Sequence, residues 1–566
     1  MTRSPAMVLA LAGLSCASVA LAMDPVRVVD LADLAAGSGI KILGMSPGDF
    51  AGISIANAGD VNGDGVADIV IGANGADVDA AVNAGTAFVI YGKTGPSSPT
   101  IDLRNIDGTN GFAIRGVTTD AYVGTAVAGA GDVNGDGIDD VVVGATGANY
   151  GAGAFAGAGY VVFGSDAGLP PVIDVVSLDG SNGFRFEGAT GASYTGRSVC
   201  GGNDVNGDGR DDVCIGSPLA NEAYVIFGRD ASDPFPPAIR RSDLDGVLGF
   251  IARGDSRSRT GISVAMSDDF DGDSIDDLII GADLAAPGGK TSAGAAYIVS
   301  GRATFGRQIT LNPAFVGVTR LEGRLALDSL GGGVASAGDA NGDGLADLLV
   351  SALNPGETYL LFGADDWPDE FTPDFIDETR GGIFRGNGRD DRIVAVSGAG
   401  DLNGDDRDDF VIGASFADGG AVRSGVSYCV FGKDRYTGII DIRELEPEDG
   451  FACFGEGFDD LSGFACGGGG DFNDDGDADV LIGSLNNDPL GRGDAGAGYI
   501  VFGGEFDPPD PCRADLDGDG LLTIFDFLEF GNLFDAGDLR ADFDGDLLLT
   551  FFDFLVYQNE FADGCP

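Results

Sequence analysis

The chain has 566 residues, of which 90 are acidic and 32 basic, so its formal net charge is −58 at pH 7. Such acidity argues against a nucleic-acid ligand, whose affinity comes from neutralising phosphates with Lys and Arg, and against an anionic membrane surface. Histidine is absent, which removes the most common general base and the most common transition-metal ligand.

The first 22 residues have the pattern of a secretion signal. Arg3 supplies a short basic region, residues 7–19 are mostly apolar, and Ala20-Leu21-Ala22 forms a small-x-small cleavage site. The apolar run is shorter than the ~20 residues that a membrane span needs. We therefore expect a secreted protein, extracellular or at the cell surface, with no segment inserted in a membrane.

A nine-residue acidic string then recurs seven times. The copies are DVNGDGVAD at Asp60, DVNGDGIDD at Asp132, DVNGDGRDD at Asp204, DFDGDSIDD at Asp269, DANGDGLAD at Asp339, DLNGDDRDD at Asp401 and DFNDDGDAD at Asp471. A run of small residues precedes each string, and two short apolar runs ending near glycine follow it, such as IVIGA at 69–73. These runs predict strands, and their unbroken apolarity predicts burial on both faces.

A fourth segment follows most units, such as TIDLRNIDGTNGFAIRG at 100–116. The seventh unit lacks one and runs into a Pro-rich stretch, whereas a segment of the same shape precedes the first unit at 26–44. A ring closed by the N-terminal strand explains this arrangement, because closure leaves no free sheet edge between the chain ends. We predict an all-β, seven-bladed β-propeller with four-stranded blades over residues 24–504, its N-terminal strand closing blade seven.

The pattern resembles the FG-GAP repeats of the integrin alpha-chain propeller and its bacterial relatives. The resemblance is carried by Gly52, Ser54 and Ala56, the Asp-rich loop, Ile71–Ala73 and the closing Phe/Tyr-Gly of each unit. It implies the propeller fold and metal ions that hold the shape of the blades. It says little about function, since one fold hosts many functions.

Each acidic string offers side-chain oxygens at positions 1, 3, 5 and 9 and a backbone carbonyl at position 7, a set of hard ligands suited to calcium. A plain polar turn needs one or two such residues, but not Asp at 1, 5 and 9 in all seven copies. Ser274 and Asp406 replace Gly at position 6, so weaker binding is expected in the loops that begin at Asp269 and Asp401. The predicted propeller ligands, for up to about seven Ca²⁺ ions, are Asp60, Asn62, Asp64, Val66, Asp68, Asp132, Asn134, Asp136, Ile138, Asp140, Asp204, Asn206, Asp208, Arg210, Asp212, Asp269, Asp271, Asp273, Ile275, Asp277, Asp339, Asn341, Asp343, Leu345, Asp347, Asp401, Asn403, Asp405, Arg407, Asp409, Asp471, Asn473, Asp475, Asp477 and Asp479.

A separate module follows a Pro-rich linker at 505–511. Two twelve-residue loops carry Asp at positions 1, 3, 5 and 12 and Thr at 9, and an apolar, helix-compatible stretch follows each. They resemble EF-hand loops with Asp in place of Glu at position 12. Leu547 at position 6 predicts weaker binding in the second loop. The ligands of two further Ca²⁺ ions would be Asp515, Asp517, Asp519, Leu521, Thr523 and Asp526, then Asp542, Asp544, Asp546, Leu548, Thr550 and Asp553.

The module resembles a bacterial dockerin of the type bracketed by cysteines. The resemblance implies a small α-helical domain over 512–566, clasped by Cys512 and Cys565, that docks on a partner. Apolar residues at 524, 525, 551 and 552 depart from the cellulosomal pattern, so cohesin binding stays open.

Five cysteines fall in the propeller. Cys200 and Cys214 flank the third acidic loop, and folding this hairpin brings them onto adjacent strands, which predicts a disulfide; two buried thiols are the alternative. Cys453 pairs with either Cys429 or Cys466.

The favoured function is a non-catalytic, calcium-binding extracellular protein for adhesion or protein/glycan interaction. The ligand, a protein or a glycan, would bind the variable propeller loops at 74–84, 146–157 and 284–292, and the C-terminal module would bind its own docking partner. No residue is assigned to catalysis or to an organic cofactor. The alternatives are a carbohydrate-active enzyme or component of a polysaccharide-degrading complex docked through the C-terminal module, and a structural wall or matrix protein.

Overall fold

The computed structural model describes residues 27–34, 37–95, 98–151, 153–230 and 232–504, together with Phe530, Leu533, Phe534, Phe554 and Tyr557. The predicted signal, the linker and every predicted ligand of the C-terminal loops lie outside the described residues. Within the described part of the chain, no helix combines the length and apolar character that a membrane span needs.

The propeller is all-β and has seven sheets of five strands. The innermost strands, in blade order, are Ala51–Gly59, Val123–Gly131, Val199–Asn203, Val264–Ser267, Leu330–Gly338, Ile393–Gly400 and Ser462–Gly468. The second strands are Asp68–Ala73, Asp140–Ala145, Asp212–Ser217, Asp277–Ala282, Asp347–Ala352, Asp409–Ala414 and Val480–Ser484. The third strands are Thr86–Ile90, Ala158–Val162, Glu222–Ile226, Ala295–Val299, Glu357–Leu361, Val426–Val430 and Ala497–Val501.

The outer part of each blade contains two further strands. The fourth strands are Gly111–Arg115, Gly183–Glu187, Gly249–Arg253, Val318–Glu322, Gly381–Arg385, Gly450–Phe454 and Gly39–Leu43. The fifth strands, which pair in parallel with the fourth, are Val172–Asp174, Ala238–Arg240, Gln308–Thr310, Glu370–Phe371, Ile439–Asp441, Arg27–Asp30 and Thr100–Asp102. Short 3₁₀ turns are Leu31–Asp33, Leu103–Asn105, Val175–Ser177, Pro287–Gly289, Pro373–Phe375, Gly388–Asp390, Ile442–Glu444 and Pro489–Gly491.

The N-terminal segment closes the ring. Gly39–Leu43 pairs antiparallel with Ala497–Val501, with Ile40 opposite Ile500, and so supplies the strand that blade seven lacks in the sequence. The predicted closure is confirmed. Arg27–Asp30 links the N-terminal segment to the ring a second time, since it pairs in parallel with Gly450–Phe454 of blade six.

The segments that were predicted as single fourth strands contain two strands, so the prediction of four-stranded blades was wrong. Thr100–Asp102 pairs with Gly39–Leu43 of blade seven, whereas Gly111–Arg115 belongs to blade one. Between them, the Asp102 carboxylate accepts a hydrogen bond from the Arg104 amide at 3.1 Å and caps a 3₁₀ turn. The cap turns the chain from one blade into the next, so each outer segment joins two neighbouring sheets.

The hydrophobic core lies between neighbouring blades. Every described residue of the second and third strands is buried. Aromatic rings fill the outer gaps, as where Phe184 stacks on Phe235 at 4.3 Å and Phe250 on Phe305 at 4.2 Å between ring centroids. The innermost strands are rich in Gly, Ala and Ser, and they enclose a central channel with cavities of about 680 and 410 Å³.

The described residues of the C-terminal segment have helical backbone. Phe530, Leu533 and Phe534 have the spacing of one helix face, as do Phe554 and Tyr557. Phe530 stacks on Tyr557 with ring centroids 4.3 Å apart and lies 6.0 Å from the ring of Phe554. The two apolar stretches that follow the predicted loops therefore contact each other through aromatic residues.

Shortening a buried side chain on the closing strand should destabilise the whole ring. Ile42 is fully buried between blades, so Ile42→Ala is expected to lower the free energy of unfolding by about 2–5 kcal/mol. Thermal and denaturant unfolding measure the change. The matched control is Val28→Ala, since Val28 lies on the neighbouring N-terminal strand but is 44% exposed and should change stability by no more than about 0.5 kcal/mol. Equal effects of the two variants would contradict the closure argument.

Candidate metal centres

Each acidic string forms the loop between the first and second strands of its blade, and its first Asp shapes that loop. In blade one, the Asp60 carboxylate accepts hydrogen bonds from the amides of Asp64 at 3.0 Å and Gly65 at 2.8 Å. The first Asp of the other six loops makes the same contacts with its own loop. The loop backbone therefore wraps around the first carboxylate.

The ninth residue of each string is an Asp at the start of the second strand, and all seven are fully buried. Asp68 accepts from the Val61 amide at 3.1 Å with one oxygen and from the Gly92 amide at 2.9 Å with the other. Gly92 is the glycine after the third strand, and the corresponding glycines donate to the other six carboxylates. A Cβ on Gly92 would lie 2.2 Å from the Ala67 carbonyl oxygen, so only glycine allows this approach.

Burial raises the pKa of these seven carboxyl groups. The pKa of Asp68, Asp277 and Asp479 rises to about 7 and that of Asp347 and Asp409 to about 8, while those of Asp140 and Asp212 rise well above the ordinary value. Backbone hydrogen bonds oppose the shift, and two loop carboxylates add to it, those at positions 1 and 5 for Asp68 and at positions 3 and 5 for Asp277. The protein alone does not balance these buried charges, whereas a cation in the loop would.

The fourth loop brings three carboxylates closest together. One oxygen each of Asp269, Asp271 and Asp273 lies within 4.8 Å of the others. The Oδ1 atom of Asp271 is buried and accepts no hydrogen bond within the described residues. Buried carboxylate oxygens without donors are the ligands that a hard divalent cation takes, so the residues fit calcium.

Positions 3 and 6 differ in what the structure says about them. At position 3, the Asn62 amide nitrogen donates to both carboxylate oxygens of Asp68 at 3.4 Å, and its role as an oxygen ligand stays a prediction. Position 6 has positive φ, 91° at Gly65, 69° at Ser274 and 66° at Asp406. Ser274 and Asp406 therefore carry a backbone strain that glycine avoids, and weaker binding in those two loops stays a prediction.

Position 8 has a role that the sequence reasoning missed. Asp139 belongs to the second loop, yet its Oδ2 accepts from the Asp60 amide of the first loop at 2.7 Å. Asp211, Asp276 and Asp408 make the same contact with the loop of the preceding blade, at 2.7–2.8 Å. The signal was the presence of Asp at position 8 in four strings and Ala in three. These four side chains, termed the inter-blade staples, link neighbouring acidic loops at four of the seven junctions between blades.

Among the described residues, no two cysteines are joined by a disulfide bond. Cys200 and Cys214 are directly opposite each other on adjacent strands, and Cys429 contacts Cys453. The Cys200–Cys214 disulfide stays a prediction, and of the two pairings open to Cys453, these contacts favour Cys429.

The repeat geometry agrees with comparison to known proteins. The FG-GAP repeat model matches residues 51–90, 123–162, 195–230 and 260–299, which are parts of blades one to four. Each match includes the first strand, the acidic loop and the second and third strands of its blade, and three of the four end at the last residue of the third strand. The fold, the seven loops and these matches support an FG-GAP β-propeller, with the matched repeats in blades one to four.

Among curated proteins, the chain is 31% identical over 244 residues to integrin alpha pat-2 of Caenorhabditis elegans (41% of this chain, 18% of that protein) and 28% identical over 250 residues to integrin alpha-V of Gallus gallus (43% and 21%). It is also 33% identical over 161 residues to phosphatidylinositol-glycan-specific phospholipase D of Bos taurus (28% and 18%). The chain thus spans about a fifth of the length of the curated relatives it matches. A streptogramin B lyase structure aligns over 81% of this chain and 95% of that one, at 9% identity and a TM-score of 0.42.

Loss of an inter-blade staple should loosen the acidic face. Asp139→Ala removes a charged acceptor from the Asp60 amide and is expected to lower the free energy of unfolding by about 1–3 kcal/mol. Asp139→Asn keeps an acceptor and should lose less. Asp365→Ala, at an exposed acidic position, controls for the change in net charge. Thermal unfolding at fixed ionic strength compares the three, and an Asp139→Ala variant as stable as Asp365→Ala would refute the staple.

Proposed function

We propose that this chain is a secreted, non-catalytic binding protein whose propeller is stabilised by calcium in its acidic loops. The observation that carries the proposal is the sevenfold recurrence of a buried carboxylate facing two or three loop carboxylates or amides. The relatives named as integrin alpha chains support a role in adhesion or protein interaction.

The two faces of the propeller differ in what they offer a ligand. The acidic loops connect the first and second strands and so occupy one face. The loops at 74–84, 146–157 and 284–292 connect the second and third strands and occupy the opposite face, together with the left-handed residues that precede the innermost strands. In this proposal the cations hold one face rigid, and a protein or glycan binds the variable loops of the other.

The C-terminal segment is proposed to be a paired calcium-loop module of dockerin type. The aromatic contact of Phe530 with Tyr557 supports two packed helices, and the ligands of the two loops are those predicted above. A docking or surface-sorting role for this module explains why a binding propeller would carry it.

Removal of one loop carboxylate should have opposite effects with and without calcium. Without metal, Asp271→Ala relieves repulsion among three neighbouring carboxylates and should raise the melting temperature. With calcium, the same variant lacks a ligand and should be less stable than the parent by about 1–3 kcal/mol. Thermal unfolding in chelator and in millimolar calcium measures both, with Asp365→Ala as the charge control. A shift of the same sign in both conditions would count against a metal centre.

Partner binding tests the remainder of the proposal. Immobilised full-length protein and a variant with shortened loops at 74–84 and 146–157 are incubated with extracellular proteins and with a glycan array. Binding that is lost in the loop variant and reduced by chelator is expected, because calcium orders the scaffold that carries the loops. Release of reducing or unsaturated ends from a polysaccharide would instead establish an enzyme.

A further inference from the structure

The central channel contains a second cavity, of about 410 Å³, at the end opposite the acidic loops. It is lined by the beginnings of the innermost strands, whereas the larger cavity is lined by their ends. Ile55, Val127, Val334, Val396 and Cys466 line both cavities and form an apolar waist between them. The smaller cavity, called the compartment below, therefore adjoins the larger one and lies toward the face of the variable loops.

Three arginines line this compartment, Arg197, Arg259 and Arg392. Arg197 occupies the repeat position that Ile53 occupies in blade one. The other blades have apolar or small residues at this position, so the charge is particular to blade three. Asp283 is the one carboxylate among the lining residues, and its Oδ1 lies 3.2 Å from Nε of Arg259. In a chain of net charge −58, this compartment has an excess of positive charge.

Two of the three guanidinium groups make no ion pair within the described part of the chain. Arg392 lies over the rings of Phe416 at 5.0 Å and Phe464 at 5.5 Å, which orients it without neutralising it. Arg197 lies inside the channel, where water reaches it but protein groups surround it on all sides. These surroundings partly desolvate its guanidinium group and so lower its pKa from the ordinary value, and the like charges of Arg259 and Arg392 add to the shift. The compartment thus holds cations that the protein itself does not compensate.

The fold does not require arginine at these positions. Arg259 and Arg392 occupy the left-handed position before the innermost strand, with φ of 57° and 52°. The same position holds Phe50, Tyr122, Tyr194, Ser329 and Leu461 in the other blades, all with positive φ. The backbone turn therefore belongs to the repeat, and the side chain at this position is free to serve another purpose.

We propose that this compartment binds a small dianion, either a dicarboxylate or a sulfate. The planar guanidinium fork binds such oxyanions through paired hydrogen bonds. Thr125, Ser263 and Ser329 line the same cavity, but their hydroxyl groups already donate to backbone carbonyl oxygens. The guanidinium groups are therefore the donors that the cavity offers an anion. The cavity volume lies in the range of small-molecule sites. The proposal is independent of calcium binding and of any partner of the loops.

The test is isothermal titration of the full-length, calcium-saturated protein with sodium succinate and, separately, with sodium sulfate. These two probes distinguish a carboxylate from a sulfate ligand. The variants are Arg197→Met and Arg392→Met, which keep most of the side-chain volume and remove the charge, and Arg197→Lys, which keeps the charge. The matched control is Arg302→Met, since Arg302 also lies over an aromatic ring, Phe305 at 4.6 Å, but does not line the compartment.

At least one probe should bind, and each Met variant should weaken it by roughly tenfold or more, because a charged hydrogen-bond pair is lost. Arg197→Lys should retain part of the affinity, and Arg302→Met should bind within about twofold of the parent. Unchanged unfolding temperatures would show that the Met variants fold. Binding of neither probe overturns the proposal, as does equal binding by the Met variants and the parent, or equal loss in Arg302→Met.

Discussion

A buried carboxylate at the start of each second strand is the contact on which the rest of the blade depends. One oxygen of Asp68 accepts from the acidic loop and the other from the glycine after the third strand, so a single side chain ties three strands together. An unpaired charge is costly to bury. The amides offset part of that cost and the loop carboxylates increase it, and the calcium ion proposed for each loop would neutralise the remaining charge. The repeat is defined by its acidic loop and its closing Phe/Tyr-Gly. Both contact the same buried carboxylate, the loop at one oxygen and the glycine at the other.

The same contact separates the two faces of the molecule. Because all seven carboxylates lie at the same end of their strands, the acidic loops gather on one face and leave the other to the variable connections. The channel between the faces follows this separation. Asp139 and Asp408 line its cavity on the acidic side, and Arg197, Arg259 and Arg392 line its cavity on the other. An acidic chain therefore presents a cationic compartment at the centre of the face that is free to bind.

The sequence predicted the seven units and the closing strand because those features recur at regular intervals and are marked by apolar runs. It did not reveal the fifth strands. Thr100–Asp102 has only three residues and none is buried, so no apolar pattern marks it. The contact of Asp139 with Asp60 was not predicted, because Asp at position 8 cannot be told from the other loop carboxylates in the sequence. Its partner Asp60 also lies in another blade. The three channel arginines are far apart in the chain, and only the ring brings them together.

The inter-blade staples are present at some junctions between blades and absent from others. Asp139, Asp211 and Asp276 link blades one to four in an unbroken series, and Asp408 links blades five and six. Ala67, Ala346 and Ala478 occupy the equivalent position at the remaining three junctions, so blade seven has no staple on either side. Blade seven is also the blade that the N-terminal strand completes, where Lys41 pairs with Glu456 at 2.5 Å and Arg492 with Asp102 at 3.0 Å. These two ion pairs lie at blade seven, where the staples are absent. The stapled series of blades one to four coincides with the four segments that match the FG-GAP repeat model.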